Sequence, residues 1–338
     1  MSGSSPGVVR YGLLVDGSLE VEVEAGHEDA VLRWLPLSSV ASVVAPADAA
    51  VRSPLGLLEP ARIHVGGGDI AGKGGAHTDT TREPLLRLMS VAAWRAGPGR
   101  EYAIASARGQ IDGLIDIERG RADVMAHAPE TESSRRAMFY ALTLAAAFLV
   151  LRGHRALMHA AAVAPPGGDA LLLVGDARAG KSTTVANLMS AGWEYLSDDQ
   201  VVISQHDTGV VVEGWPRRFH LDAGWHEARV TGLRETVDPA GIGTGSFRRA
   251  ATVGAVVFPR VAPGGGTRLE PVTASNALAQ LIRQSPWLLV DAPTAPAVLA
   301  CLTRAASLPT YRLLLDRDTY ADPERLARIV APLTLRQP

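Results

Sequence analysis

Lys181 is one of only two lysines among 33 basic residues, the other being Lys73. It sits between a glycine and a serine in ALLLVGDARAGKSTTVANLMSAGWEYLSDDQVVI, Ala170 to Ile203. Gly175, Asp176, Ala177, Arg178, Ala179, Gly180, Lys181 and Ser182 satisfy every fixed position of G-x-x-x-x-G-K-[ST]. A loop of this kind, continued into the first helical turn through Thr183, points backbone N–H groups into one concavity that takes phosphate oxygens. A slim ammonium on a flexible stem reaches the β- and γ-phosphates of a nucleotide where a planar guanidinium does not replace it. The Ser182 hydroxyl is then placed to ligate Mg²⁺. Beyond the loop lies Asp198-Asp199, whose first carboxylate is 17 residues past Lys181. One carboxylate beside a phosphate loop suits a metal, and a second suits the proton of an attacking hydroxyl. Two adjacent carboxylates also repel each other's charge, which raises the proton affinity of one of them. Transfer of a phosphoryl group further needs positive charge near its oxygens, for which Arg217, Arg218, Arg248, Arg249 and Arg260 are candidates.

The elements expected around these residues suit that chemistry. ALMHAAAV reads as a strand carrying His159, and Pro165-Pro166-Gly167-Gly168 as a turn. ALLLVG reads as a buried strand running into the loop. Helix formers dominate from Lys181 to Ala191, and Gly192 is the expected stop. WEYLS leads to Asp198-Asp199, and QVVIS is the next strand. Strand, loop, helix, strand is the opening of an α/β sheet domain.

The rest of the chain is less informative about chemistry. Its 338 residues allow two domains, with 47% hydrophobic and 20% charged residues. A net charge of −2 predicts neither a nucleic-acid nor an anionic-membrane partner. With one cysteine, Cys301, no intrachain disulfide can form, and without an N-terminal signal a cytoplasmic protein is expected. Residues 1–9 read as a flexible tail. YGLLVDGSLEVEVEAG predicts a hairpin turning at Asp16-Gly17, with Leu19, Val21 and Val23 inward and Glu20, Glu22 and Glu24 wet. Gly66 to Thr81 is glycine-rich and predicts a loop. Residues 10–130 are taken as an N-terminal α/β or mainly β domain, with acceptor binding as its expected task, and 131–155 as linker and buried helix. The uncharged run AMFYALTLAAAFLVL is too short for the roughly 20 residues of a spanning helix. The scattered histidines have no paired spacing that predicts zinc.

From Ala156 to Thr334 the sequence resembles the HPr kinase/phosphorylase-like superfamily of bacterial P-loop serine kinases. The resemblance is carried by His159 in its strand, Gly175 to Ser182, Gly192-Trp193 and Asp198-Asp199, in that order, and by the later AVVFPRVAPGGGTRLEPVTASNALAQLI. It implies a P-loop HPr-kinase-like (PEPCK-like) α/β kinase domain over 156–335. The implied cofactors are ATP and Mg²⁺, and the implied reaction is γ-phosphoryl transfer to a serine-type hydroxyl. In that reading Lys181 and Arg260 are catalytic cations, and Asp199 is the general base. Asp198 joins Ser182 at the metal, and His159 orients the carboxylates. The order of the two aspartates is barely separated by sequence.

Ala177 and Arg178 replace the Ser and Gly usual in this family, and arginine does not take up positive φ as glycine does. VEGWPRRFHLDAG stands where true HPr kinases carry a glycine-rich signature. These departures point away from HPr as acceptor. They point towards the HPr-kinase-like proteins of ribosomal-peptide modification clusters, with a hydroxyl on a peptide or small molecule as acceptor. The family commonly assembles as hexamers, so a homo-oligomer is expected on the same ground. Two other readings stay open: an inactive nucleotide- or peptide-binding scaffold, and a P-loop NTPase. The NTPase would need a water-positioning residue, and strand alternation turns Gln200 away from Asp199.

Overall fold

A computed structural model of the chain describes residues 8–14, 18–27, 60–67, 83–127, 131–215, 217–227, 231–244 and 246–335. Among these residues the fold is mixed α/β with three sheets, and it divides into two compact units. One unit comprises Met1–His154 with Trp287–Ala295, and the other Arg155–Pro286 with Pro296–Pro338. The sequence reading expects a second domain unbroken from 156 to 335. The structure instead assigns Trp287–Ala295 to the first unit.

Among the described residues, the first unit is a sheet of eight strands backed by one helix. Its strands are β1 (Val8–Gly12), β2 (Leu19–Glu24), β3 (Ala61–Gly67), β4 (Leu86–Leu88), β5 (Val91–Arg95), β6 (Glu101–Ser106), β7 (Ile111–Asp116) and β8 (Arg121–Ala126). Their spatial order is β1-β2-β3-β8-β7-β6-β5-β4. The hairpin expected at the start forms with Val8 opposite Glu24, so Val8 and Val9 belong to a strand and not to a tail. Its turn residues Asp16 and Gly17 lie outside the described residues, as does the glycine-rich stretch from residue 68 onward, with Lys73. In β2 the alternation holds: Leu19, Val21 and Val23 are buried and the glutamates are partly exposed.

Helix α1 (Glu132–Leu151) covers the sheet over β3, β6, β7 and β8. Thr131 caps it by accepting from the Ser134 N–H at 3.1 Å. It is long and apolar enough to cross a membrane, the single such helix among the described residues, and most of it is buried within the fold. The uncharged run begins at Ala137, whereas the cap sets the start of the helix five residues earlier. Phe148 packs edge-on against the buried Tyr102, ring centroids 4.7 Å apart.

Asp291, in the returning segment, is wholly buried. Its carboxylate receives Arg100 Nε at 2.9 Å, the Tyr102 hydroxyl at 3.1 Å and Thr294 Oγ1 at 2.6 Å. Burial pushes its pKa up, but the Arg100 and Thr294 hydrogen bonds outweigh burial and hold it below the ordinary range. The same network, with burial first, pushes the Tyr102 phenol up to about 12.

The second unit is built on a nine-stranded sheet. Its strands are β9 (Ala156–Met158), β10 (Ala160–Ala164), β11 (Ala170–Val174), β12 (Glu194–Ser197), β13 (Val201–His206), β14 (Gly209–Gly214), β17 (Ala250–Val261), β18 (Arg268–Pro271) and β19 (Thr310–Leu315). A separate hairpin pairs β15 (Phe219–Asp222) with β16 (Arg234–Val237). The main order is β12-β10-β11-β17-β14-β13-β9, with β19 beside β17 and β18 beside β19. Strands β11, β17 and β19 run parallel, which is the part of the sheet that leads into the loop. The helices are α2 (Lys181–Ser190), α3 (Ala274–Arg283), α4 (Ala295–Ala306), α5 (Arg317–Tyr320) and α6 (Pro323–Val330).

Val185, Leu188 and Met189 of α2 pack into one core with Leu171, Leu173, Val257, Leu313 and Leu326. That core fixes the helix against β11, and with it the loop between them. Gly192, at φ 84, ends α2 as expected.

Candidate active site

The single strand expected at ALMHAAAV is broken at His159. Strand β9 pairs with β13, while β10 pairs with β11 and β12. His159 therefore stands where the sheet divides, with its backbone N–H bonded to the Gln284 carbonyl at 2.9 Å. Two further strand ends converge here. Strand β11 delivers Gly175, and β12 delivers Asp198 and Asp199.

The loop from Gly175 to Gly180 ends on Gly180 at φ 105, which precedes α2 and makes no side-chain cap. The first N–H groups of α2, over Lys181, Ser182 and Thr183, thus have no capping side chain competing for them. Asp176, Ala177 and Arg178 are exposed or partly so, as are Ala179 and Gly180. Arg178 adopts φ 67, the positive φ that the sequence reading does not expect of an arginine. The left-handed geometry is kept at a cost of order 1–2 kcal/mol for a residue with a Cβ. Asp176 is gripped from outside the motif, by Gln284 Nε2 at 2.8 Å and Arg283 at 3.2 Å, both at the end of α3. Nothing in the G-x-x-x-x-G-K-S pattern signals that grip, because it joins residues more than a hundred positions apart.

Lys181 is buried with its ammonium 2.6 Å from the Gly175 carbonyl, 3.2 Å from the Asp176 carbonyl and 3.1 Å from His159 Nε2. Burial lowers its pKa, against the charges of Asp198, Asp199 and Asp176. An ammonium only donates, so His159 Nε2 is the acceptor and the ring hydrogen resides on Nδ1. That nitrogen lies 2.9 Å from Asp199 Oδ1 and 3.0 Å from the Asp199 carbonyl. His159 thereby connects the loop lysine to the second aspartate.

The two aspartates differ sharply. Asp198 is 5% exposed and accepts from the Ser182 hydroxyl at 3.0 Å. Burial, and then the charge of Asp199, push its carboxyl up to about 6. Asp199 has a side chain 48% exposed. Burial of part of the group works upward, but the hydrogen bond from His159 and the charge of Arg217 bring its carboxyl down to about 2. Asp199 also sits at φ 74, a left-handed conformation that aspartate tolerates better than most residues.

The turn bearing these carboxylates is pinned from below. Ser197 Oγ lies 2.6 Å from both the Gln200 and Trp215 carbonyls. Gly214 lies so close to β12 that a Cβ there would land on the Leu196 carbonyl, so only glycine permits β14 this approach.

Of the arginines considered, Arg217 is the one whose guanidinium meets the cluster, 3.1 Å from Asp199 Oδ2. Arg218 faces Asp238 at 3.7 Å and Arg248 faces Glu194 at 3.7 Å. Arg260, the cation favoured by the family pattern, is exposed near the end of β17 and makes no hydrogen bond or ion pair with the cluster among the described residues. The adjacent arginines of WPRRFH offer no local means of choosing Arg217 over Arg218.

No family model and no curated protein matches the chain. Among solved structures, the chain is similar to the HPr(Ser) kinase/phosphatase from Coxiella burnetii, at 14% identity and a TM-score of 0.28. The match covers 51% of this chain and 93% of that one.

Proposed function

We propose that the second unit is an HPr-kinase-like serine kinase that transfers the γ-phosphoryl group of ATP to a hydroxyl on a peptide or small acceptor. The observation that carries this reading is one connected array: Lys181 to His159 to Asp199, beside Ser182 to Asp198, around an uncapped helix start. Uncapped N–H groups and a lysine at one loop suit the phosphates of a nucleotide. Lys181 would exchange its loop carbonyls for phosphate oxygens, which present the full negative charge that those carbonyls lack.

The residues fit Mg²⁺. Ser182 and Asp198 meet at 3.0 Å, and the raised pKa of Asp198 marks a buried carboxylate short of positive charge. A Mg²⁺ of this kind takes one or two protein oxygens and completes its shell from water and phosphate, so no all-protein cage is needed. When bound, it supplies positive charge to the phosphate oxygens.

Asp199, half exposed, accepts the proton of the incoming hydroxyl. The hydroxyl oxygen forms a bond to the γ-phosphorus as the bond to the β-bridging oxygen breaks, and the electron pair leaves with ADP. Asp199 is a weak base at a carboxyl pKa near 2. In a loose transition state most proton transfer follows bond formation to phosphorus, so position counts for more than basicity. The departures from the HPr kinase pattern favour an acceptor other than HPr, in the setting of ribosomal-peptide modification and in the cytoplasm.

The test is incubation with Mg·ATP and candidate peptides, read by mass spectrometry for a phosphate-sized gain. Lys181→Ala should abolish the gain, and Asp199→Asn should lower its rate by about 10²–10⁴-fold with the fold intact. Full activity in either variant refutes the assignment. A scaffold that binds nucleotide without using it is favoured by one observation, the engagement of Lys181 with its own loop carbonyls. Lys181-dependent binding of Mg·ATP in calorimetry, with no transfer to any acceptor, would select that second reading.

A further inference from the structure

We infer that Arg217 is the positioning residue for Asp199, and that it acts on transfer through that carboxylate and not through the nucleotide. The inference rests on the kinase reading above and specifies how its base is held. Asp199 starts from a poor mount: its φ of 74 is a conformation few side chains adopt, and its side chain is 48% exposed. A carboxylate so placed would rotate freely unless both oxygens were held. They are held from two directions, Oδ1 by His159 at 2.9 Å and Oδ2 by Arg217 at 3.1 Å. Rotation about the last side-chain bond therefore breaks both contacts together.

Arg217 is itself fixed. Its side chain is 7% exposed, so its guanidinium is a buried post and not a solvent-swept arm. Its backbone is clasped by one side chain, the wholly buried Tyr195. The Tyr195 hydroxyl donates to the Arg217 carbonyl at 2.8 Å and accepts from the Arg217 N–H at 3.1 Å. Tyr195 lies on β12, the same strand that delivers Asp199. The aspartate and its arginine are thus referenced to a single strand, and errors in their separation are confined to a few bonds. Tyr195 in turn packs against Phe219, centroids 5.1 Å apart, in the core of the unit. Arg218 and Arg248 face other carboxylates, and Arg260 is exposed.

The experiment uses the full chain, Mg·ATP and the peptide that gains phosphate with the unaltered protein. Turnover and KM for ATP are measured for Arg217→Met, Arg217→Lys, Asp199→Asn and the Arg217→Met, Asp199→Asn double variant. Displacing a reacting group by about 1 Å costs about 10²-fold. Arg217→Met should therefore lower kcat by about 10²-fold with KM for ATP and calorimetric Mg·ATP affinity within about threefold. Arg217→Lys should recover part of kcat. In the Asp199→Asn background, Arg217→Met should cost less than about threefold more, since residues that act as one unit are not additive.

A full additive loss in the double variant, or a matching loss of Mg·ATP affinity, would overturn the inference while leaving the kinase reading intact. So would unfolding of both single Arg217 variants in circular dichroism, which would make the arginine structural. No phosphate gain with the unaltered protein on any acceptor overturns the kinase reading, and this inference with it.

Discussion

Replacing Asp198 by asparagine should stabilise the second unit while removing its activity. The Asp198 carboxyl is moved from 3.8 to about 6 by burial and by the neighbouring Asp199 charge. At 1.36 kcal/mol per tenfold change in proton affinity, that is a cost of up to about 3 kcal/mol for carrying the charge in the folded state. The sign follows from linkage. Below about pH 4 the carboxyl is neutral in both states and costs nothing. Between about 4 and 6 the unfolded chain releases its proton first, so stability falls as pH rises. Above about 6 the full cost is present. The substituted amide never ionises, and its oxygen can still accept from Ser182. Asp198→Asn should therefore gain up to about 3 kcal/mol at pH 8 and little at pH 4. Asp199 has the opposite linkage, adding stability above its ordinary range that is lost as pH falls towards 2. That titration lies below about pH 4, so Asp199 stays charged throughout the comparison between pH 4 and pH 8. With urea slopes of about 1–3 kcal/mol per molar, the midpoint at pH 8 should rise by up to about 1–3 M. Hydrogen exchange of β12 and β13 peptides in urea reads the second unit by itself. A lower midpoint for the variant at pH 8, or an equal gain at both pH values, would refute the reasoning.

Two further outcomes follow from the geometry. Arg178→Gly relieves a left-handed φ of 67 at a side chain with no hydrogen bond or ion pair among the described residues. After the extra chain entropy of glycine, it should raise stability by about 0.5–1 kcal/mol, seen as a higher urea midpoint. Asp291→Ala leaves Arg100 without its buried carboxylate and Tyr102 with only the Val290 carbonyl at 3.3 Å, and should cost the first unit about 2–4 kcal/mol, whereas Asp291→Asn should cost less; exchange protection of β6 reports both.

The sequence was legible where chemistry is local. The loop, its helix, the glycine that ends that helix and the strand before Asp198 all follow from residues within a few positions of one another. The hairpin of β1 and β2 was equally plain, since alternation of Leu19, Val21 and Val23 against glutamates needs no tertiary information. What sequence could not supply depends on contacts between distant segments. His159 reads as one residue in an apolar run, and only the divergence of β9 towards β13 and β10 towards β11 sets it at a division of the sheet. Arg217 and Arg218 are adjacent and chemically identical, and their separation into a buried post and an exposed partner of Asp238 is decided by Tyr195, more than twenty positions away. The grip of Gln284 on Asp176 spans 108 positions. Within the first unit, Trp287–Ala295 is tied to the sheet through Asp291, an ordinary-looking aspartate until Arg100 and Tyr102 are brought to it.

The strains in the second unit share a direction. Lys181 carries its charge in a buried place, Asp198 carries one without enough positive charge around it, and Arg178 holds a left-handed backbone. Each is unfavourable in the protein alone, against a typical total stability of only about 5–15 kcal/mol. A structure keeps such terms only where the rest over-determines them. Phosphate oxygens against Lys181 and a divalent cation against Asp198 would each reverse the sign of the local cost. The Asp199 carboxylate, although its backbone is also left-handed, has no deficit of charge: His159 and Arg217 satisfy it before any ligand arrives. The division has a mechanistic consequence. Groups that would meet a nucleotide carry buried charge, so that binding energy would be spent there, whereas the group that would have to stay in place through a transfer is already held on both oxygens. If Asp198→Asn removes the fall in stability between about pH 4 and 6 and Arg217→Met leaves nucleotide affinity unchanged, the two halves of that division are independently established.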